Sequence, residues 1–193
     1  MIEIISRNMD RADRMIHDIL DASRLKAGEG VPLNLRDADM KTVVTHSVET
    51  LTSLHGARFK TAFSGDLFGS WDTAAFERVL ENLGSNAVKY GEPGSMITLS
   101  AKDCGDSIEL RVHNVGEPIP PADLETIFEK YNRTDSAIKG PQKGWGIGLT
   151  LVKGFTEAHG GRIHVESSAI NGTDFIMKIP RFTPTSLAMT LLN

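Results

Sequence analysis

The stretch ENLGSNAVKY, residues 81–90, is the part of the sequence that decides the fold. It completes a predicted amphipathic helix that begins after Asp72, a residue suited to capping a helix N-terminus. At about 100° per residue, Asn82, Asn86 and Lys89 form a polar stripe along the edge of the apolar face. Two amide oxygens and an ammonium group could bind Mg²⁺ and phosphates there, because Mg²⁺ prefers oxygen ligands. On this helix alone, a solvated polar edge is the simpler interpretation.

A second polar signal lies at the end of a predicted strand. The alternating run Ser107–Asn114 leads into Val115 and Gly116. The side-chain oxygen of Asn114 can accept a hydrogen bond from the exocyclic amine of a base, and its NH₂ group can donate one. An ordinary Asn-x-Gly turn gives the same pattern, so this signal carries little weight by itself.

A glycine-rich loop, GWGIGL at residues 144–149, joins a polar stretch over 132–143 to a predicted helix over 148–159. Glycines let the backbone approach phosphates, and a helix N-terminus offers unpaired N–H groups. The loop lacks the Gly-Lys-Ser/Thr of a P-loop, and no strand leads directly into it, as a dinucleotide-binding fingerprint requires. The position of this loop among the motifs strengthens its interpretation as a phosphate-binding loop, because it follows the two asparagine signals and precedes Gly172–Thr173.

The remaining periodicity predicts an α+β fold. Strands that meet mainly through hairpins, together with three longer helices, indicate a two-layer α/β sandwich with helices on one sheet face. Pure βαβ alternation is absent, which argues against a Rossmann fold. The predicted strands are residues 33–35, 59–63, 67–71, 96–102, 107–114, 162–168 and 173–179, and the predicted helices are residues 40–54, 73–90, 120–130 and 148–159.

Residues 1–28 predict a long, coiled-coil-like helix of their own. Apolar or small residues recur there at alternating steps of three and four, which is typical of a two-helix seam. Packing on the chain's own domain is the alternative, but the narrow seam favours an intermolecular bundle. The predicted organisation is therefore this helix, a domain over residues 29–180 and a tail over residues 181–193.

Composition sets broad limits on function. The formal net charge is −4 and the hydrophobic fraction is 40%, so we expect a globular protein without a nucleic-acid-binding surface. Cys104 is the single cysteine, which suits a reducing compartment. No apolar run reaches the roughly 18 residues of a membrane span. We therefore expect a cytoplasmic piece without membrane contact, from a parent protein that is either soluble or membrane-anchored.

Taken together, the motifs resemble those of bacterial sensor histidine kinases. The resemblance covers about residues 31–180 in the correct order and is specific for the Bergerat-type ATP-binding fold, a mixed sheet with helices on one face. Residues 1–28 resemble the second helix of the kinase dimerisation domain, without the first. The matching segments are residues 81–90 (N box), 113–120 (first glycine box), 127–131 (F box), 144–149 (second glycine box) and 172–173 (the closing Gly-Thr).

The resemblance implies the cofactors ATP and Mg²⁺ and a role for each motif. Asn86 would bind Mg²⁺ with Asn82 alongside, and these two residues with Lys89 would form the catalytic group. Asn114 would read the adenine amine, and Thr173 would support it from the next strand. The implied nucleotide-binding residues are Asn82, Asn86, Lys89, Tyr90, Asn114, Gly116, Ile119, Phe128, Tyr131, Arg133, Lys143, Gly144, Trp145, Gly146, Ile147, Gly148, Leu149 and Thr173.

The sequence departs from the family pattern at three points. Asn114 stands where Asp is usual and Pro118 where Gly is usual, and the acceptor motif, His-acidic-Arg-x-Pro, is absent. His17–Asp18 matches only its first two letters. The resemblance therefore implies phosphoryl transfer to a histidine that another helix supplies. The implied partners are that histidine-bearing dimerisation helix, a response regulator receiver domain and, in the parent protein, a second copy through residues 1–28.

Two other functions fit the same motifs. One is an ATPase or a serine kinase on this fold, for which water or a seryl hydroxyl would need a base. The Asn82 position offers an amide instead. The other is a non-catalytic module whose dimerisation is gated by nucleotide.

Overall fold

The computed structural model describes residues 16, 19–21, 23–24, 31–129 and 147–181. The strands and helices of this part of the chain lie close to the predicted segments. In chain order they are β1 (Arg36–Asp39), α1 (Met40–His55), β2 (Phe59–Ser64), β3 (Phe68–Trp71), α2 (Thr73–Tyr90), β4 (Ile97–Asp103), β5 (Ser107–Asn114), a 3₁₀ turn (Pro121–Asp123), α3 (Gly148–Ala158), β6 (Arg162–Ser168) and β7 (Gly172–Pro180).

Five strands form a mixed sheet in the order β2-β4-β5-β7-β6. The pair β2–β4 is parallel, and the other three pairs are antiparallel. Alternation decides which face is covered: in β5, Ile108, Leu110 and Val112 are fully buried, while their neighbours are only partly so. The helices pack on this apolar face. The predicted α+β sandwich with helices on one sheet face is confirmed.

The sequence did not predict a second, two-stranded sheet. Strand β1 pairs antiparallel with β3, with Arg36 opposite Trp71. The strand expected at residues 33–35 was wrong, because the paired segment begins at Arg36. The buried indole of Trp71 stabilises this pairing, since its Nε1 donates to the carbonyl of Ala38 at 2.9 Å. Strand β3 follows β2 closely in the chain but belongs to the other sheet.

The helix expected over residues 120–130 was also wrong. A 3₁₀ turn covers Pro121–Asp123, and irregular turns follow it within the described part of the chain. Bonds between residues three apart close these turns, as from Thr126 N to Asp123 O at 3.1 Å. The segment then buries Phe128, whose ring meets Phe175 edge-on at 6.2 Å between centroids. This segment is thus held by the packing of Phe128 on the sheet rather than by helical hydrogen bonds.

Gly84 lies in the middle of α2, where glycine destabilises a helix by roughly 0.5–1 kcal/mol relative to alanine. The packing of α1 on α2 explains its presence. A Cβ at this position would overlap Cδ1 of Leu51, a fully buried side chain of α1. The glycine therefore lets the two helices approach closely.

Few of residues 1–28 fall within the described part of the chain. Those that do are helical, and Ile16, Ile19 and Leu20 are about half exposed. Asp21 Oδ2 lies 2.8 Å from Nη1 of Arg78 on α2, so this residue contacts the α/β sandwich. The predicted coiled-coil-like helix stays a prediction, as does the predicted tail over residues 181–193, of which only Arg181 lies in the described part of the chain. Among the described residues, no helix is both long and apolar enough to cross a membrane.

Candidate nucleotide-binding site

Helix α2 carries the predicted polar stripe. It begins at the cap Asp72, whose side chain accepts from Ala75 N at 3.0 Å. The predicted core face is confirmed, because Phe76, Val79, Leu80, Leu83 and Ala87 are all buried. Asn82, Asn86 and Lys89 are partly buried at the edge of that face. The stripe therefore lies at the boundary between the core and solvent, as a ligand site on this helix requires.

The amide of Asn82 has a defined orientation. Its Nδ2 donates to the carbonyl of Arg78 at 2.9 Å, one turn earlier in the helix. Its Oδ1 faces the start of α3, where a Cβ on Gly148 would lie 2.8 Å from that oxygen. The side-chain oxygen thus points to the N-terminus of the helix that follows the glycine-rich loop. Amide oxygen and helix N-terminus together suit a metal-bound phosphate.

The second predicted asparagine, Asn114, is buried at the end of β5 with 5% of its surface exposed. Its Nδ2 donates to the carbonyl of Val115 at 3.2 Å. Within the described residues, its Oδ1 accepts no hydrogen bond. A buried acceptor without a partner is unfavourable unless a ligand or water satisfies it. The oxygen is thus free to accept from a ligand, and its predicted bond to the exocyclic amine of adenine stays a prediction.

The end of α2 is joined to the end of β5. Gly91 and Gly116 form an isolated antiparallel bridge, and Glu92 N donates to the carbonyl of Val115 at 2.8 Å. The helix that carries the polar stripe and the strand that carries Asn114 are thereby held in register. An open surface depression of about 610 Å³ lies beside this junction, lined by Tyr90, Gly91, Glu92, Pro93, Val115, Gly116, Glu117 and Ala169.

Thr173 occupies the predicted place on the strand next to Asn114, with the two residues directly opposite each other in the β5–β7 register. Its hydroxyl lies 2.7 Å from Oγ of Ser167, which in turn accepts from Ile119 N at 2.9 Å. Sequence reasoning missed Ser167. The available signal was alternation, because Ser167 shares the inward face of β6 with Ile163 and Val165.

The other predicted nucleotide-binding residues divide into two groups. Phe128 is packed in the core against Phe175, while Ile147 and Leu149 are partly buried and pack against the same core. Tyr90 is 46% exposed beside the depression. The remaining ones lie outside the described residues: Tyr131, Arg133, Lys143, Gly144, Trp145 and Gly146.

The described side chains offer Mg²⁺ amide oxygens and little else. Among them, no group of three His, Cys, Asp or Glu residues is placed to hold a metal ion. Mg²⁺ keeps several waters and is often bound by one or two protein ligands together with substrate phosphates. The oxygen of Asn82 and the neighbouring Asn86 therefore fit a metal that arrives with a nucleotide.

Comparison with known proteins decides the family. Residues 71–183 match the family model of histidine kinase-, DNA gyrase B- and HSP90-like ATPases, and this segment is more than half of the 193 residues. The chain belongs to this family. All described motif residues that the sequence singled out, from the α2 stripe to Thr173, lie within the matched segment of this ATPase domain.

The similar curated proteins are sensor kinases. The sensor-like histidine kinase SenX3 of Mycobacterium tuberculosis is 30% identical over 174 residues, which cover 89% of this chain and 42% of SenX3. The circadian input-output histidine kinase CikA of Synechococcus elongatus is 32% identical over 178 residues, 88% of this chain and 23% of CikA. The chain thus spans less than half of the length of either relative.

Solved structures show the same fold. The catalytic domain of histidine kinase ThkA superposes with a TM-score of 0.67 at 24% identity, over 78% of this chain and 98% of that one. Full-length ShkA in complex with AMPPNP gives a TM-score of 0.73 at 24% identity, over 93% of this chain and 38% of ShkA. The chain thus shares its fold with the catalytic domain of ThkA.

Proposed function

We propose that this domain binds Mg·ATP and transfers the γ-phosphoryl group to a histidine on a dimerisation helix outside this chain. The observation that carries the proposal is the buried Asn114 amide, whose oxygen has no partner among the described residues. It lies at the end of β5, which the Gly91–Gly116 bridge joins to the asparagine-bearing helix. The end of the site at Asn114 could thus bind a base, while α2 would bind the phosphates.

Three residues of α2 would have separate roles at the phosphate end of the site. Asn86 and Asn82 would hold Mg²⁺, and Lys89 would contact the phosphates. Bound Mg²⁺ would supply charge neutralisation on the transferred group. Asn82 keeps its oxygen directed at the start of α3 through its bond to the Arg78 carbonyl. Positioning and charge neutralisation are the main demands of phosphoryl transfer.

The amide at position 82 favours a histidine acceptor over water or serine. An amide cannot take up a proton at neutral pH, so Asn82 cannot act as a general base. A neutral imidazole already has a nucleophilic lone pair, whereas water and a seryl hydroxyl need a base to activate them. The chemistry of Asn82 therefore supports a kinase for histidine rather than an ATPase or a serine kinase.

Replacing Asn86 with alanine is expected to weaken Mg·ATP binding by about ten-fold or more, because a metal ligand is lost. Isothermal titration of Mg·ATP into both proteins measures this change. Asn34→Ala is the matched control, since Asn34 is exposed and remote from α2's polar stripe. Equal affinity of wild type and Asn86→Ala would remove Asn86 from the metal site. Failure of the wild type to bind at millimolar Mg·ATP would end the proposal.

Gly148→Ala is expected to weaken Mg·ATP binding while leaving the thermal stability of the domain almost unchanged. The added Cβ would push Asn82 Oδ1 aside, and displacing a ligand by about 1 Å can reduce function up to a hundred-fold. Stability should hardly change, because the end of a flexible side chain can move easily. Thermal unfolding and Mg·ATP titration of the same variant test both parts. Unchanged affinity would show that the Asn82 oxygen does not contact the ligand sphere.

Phosphoryl transfer requires a second assay. The chain is incubated with labelled Mg·ATP, alone and with a separate histidine-bearing dimerisation helix. We expect acid-labile phosphate on the added helix and none on the chain itself. Label on His17 would contradict this expectation. ATP turnover without the added helix would favour an ATPase or a serine kinase, and binding without any transfer would favour a nucleotide-gated module.

The partners and location follow from the same proposal. Exposed Ile16, Ile19 and Leu20 on helical residues support a homodimer through residues 1–28 in the parent protein. The phosphorylated histidine would then pass its phosphoryl group to a response regulator receiver domain. The domain would encounter both ATP and the receiver domain in the cytoplasm.

A further inference from the structure

The loop after β5 is fixed to a strand that is not its neighbour. It leaves the sheet at Asn114, and β7 separates β5 from β6. Nevertheless Ile119 N donates to Oγ of Ser167 on β6 at 2.9 Å, across 48 residues of sequence. The loop therefore crosses over the end of β7 and is held on the far side by a side chain.

Three polar side chains form a row beneath this crossing. The strand registers place Asn114 opposite Thr173 and Thr173 opposite Ser167. All three lie on the sheet face that the helices cover, and Thr173 is 5% exposed. The hydroxyls of Thr173 and Ser167 are 2.7 Å apart. The row thus links Asn114's strand to the loop through two hydroxyl groups.

The hydrogen bonds of the two hydroxyls can be counted. Each hydroxyl has one proton and two lone pairs. The Ile119 N–H occupies one lone pair of Ser167, and the bond between the hydroxyls uses one of the two protons. Ser167 therefore satisfies a loop N–H and the buried Thr173 at the same time. Without its hydroxyl, both the loop and the side chain beside Asn114 lose their fixed position.

We propose that Ser167 is a positioning residue that sets the fit of the base end of the site to a 6-aminopurine. This inference rests on the proposed function. Ser167 acts through two neighbours: it holds Ile119, a predicted nucleotide-binding residue, and it orients Thr173. Asn114, which lies opposite Thr173 in the β5–β7 register, would then keep its oxygen directed at the exocyclic amine of a bound purine. Discrimination of this kind depends on a fixed, buried hydrogen-bonding group.

The test compares two nucleotides that differ only in the exocyclic amine, ATP and purine riboside triphosphate, each titrated with Mg²⁺. The proteins are wild type, Ser167→Ala, Ser167→Thr and the control Ser168→Ala. Ser168 is the adjacent residue, and its Oγ accepts from Asn171 N in the hairpin turn instead. Thermal unfolding of each variant confirms that it is folded.

Wild type is expected to bind ATP about ten-fold more tightly than purine riboside triphosphate, the effect of one buried hydrogen bond. Ser167→Ala should lose most of this ratio by weakening ATP alone. Ser167→Thr keeps the hydroxyl and should keep the ratio within about two-fold, as should Ser168→Ala.

The possible outcomes distinguish a failure of this inference from a failure of the proposed function. Equal weakening of both nucleotides by Ser167→Ala would indicate a merely structural serine and overturn the inference. So would an unchanged ratio in that variant, or a wild type that binds the two nucleotides equally well; in all three cases Mg·ATP binding itself would stand. A wild type that binds neither nucleotide would overturn the proposed function as well.

Discussion

Arg181→Ala is expected to lower the free energy of unfolding by about 3 kcal/mol, because it removes one partner of a buried charged network. Arg181 is 7% exposed. Its Nε donates to Gly105 O at 2.6 Å and its Nη1 to Phe68 O at 2.7 Å. Its Nη2 donates to Asp66 O at 2.5 Å and to Asp103 Oδ1 at 2.6 Å. One guanidinium therefore joins two separate chain segments, residues 66–68 and 103–105, whose acceptors alanine would leave without donors.

Urea unfolding of wild type and Arg181→Ala measures this loss. Arg181→Lys tests the geometry, because an ammonium has three donors on one atom and cannot reproduce the guanidinium fork. We expect lysine to recover less than half of the loss. Arg162→Ala is the matched control: Arg162 is exposed on β6, so its removal should change stability by no more than about 0.5 kcal/mol. A loss in Arg181→Ala as small as the control's would contradict the account.

Acidification from pH 7 to pH 5 is expected to destabilise the fold through His159. This side chain is fully buried. Its Nδ1 donates to Phe155 O at 2.7 Å, and its Nε2 accepts from Asp72 N at 3.1 Å. The contact with Asp72 N requires the neutral ring, since protonation would place an N–H at Nε2 against the N–H of Asp72. Burial lowers the pKa of His159 below its ordinary value of 6.5.

The sign of the effect follows from this shift. Above pH 6.5 His159 is neutral in both states, and its contribution to stability is complete. Below pH 6.5 the unfolded chain binds a proton that the folded chain resists, so stability falls until the pH passes the lowered pKa. His46 has the opposite sign, because its hydrogen bond to Glu77 raises its pKa. His46 is exposed, which limits its effect.

His159→Gln provides the measurement. Glutamine can still accept from Asp72 N but does not titrate, so the variant should lose less stability than wild type between pH 7 and pH 5. At pH 7 it should be less stable by about 1–3 kcal/mol, because the Phe155 carbonyl loses its donor. His46→Gln is the control for an exposed histidine. Equal slopes of stability against pH in wild type and His159→Gln would refute the assignment.

Local pattern predicted most of the domain. The face of α2 and the β4–β5 and β6–β7 hairpins follow from period and turn residues that lie within about twenty residues of one another. The β1–β3 sheet could not be predicted in this way, because it depends on the indole of Trp71 reaching Ala38 from a distant part of the chain. The role of Arg181 could not be predicted for the same reason, since its side-chain partners lie in two distant segments, residues 66–68 and 103–105.

The residues of the candidate site could be named in part from the sequence, and their binding roles stay predictions. Asn82, Asn86 and Asn114 could be named because motif order and residue chemistry point to them. Ser167 was missed, because alternation shows only that it faces inward, and its contact with Ile119 arises from the strand order. The mid-helix glycine at position 84 likewise makes sense only once Leu51 is seen against it.

The bridge between Gly91 and Gly116 has a consequence for how this surface can vary. It spaces the two ends of the ligand site through main-chain atoms, with Glu92 N bound to the Val115 carbonyl. Main-chain bonds are indifferent to side-chain identity. The exposed residues around them, Glu92, Val115 and Glu117, can therefore change during evolution and acquire new contacts while the spacing between the asparagine-bearing helix and Asn114 is preserved.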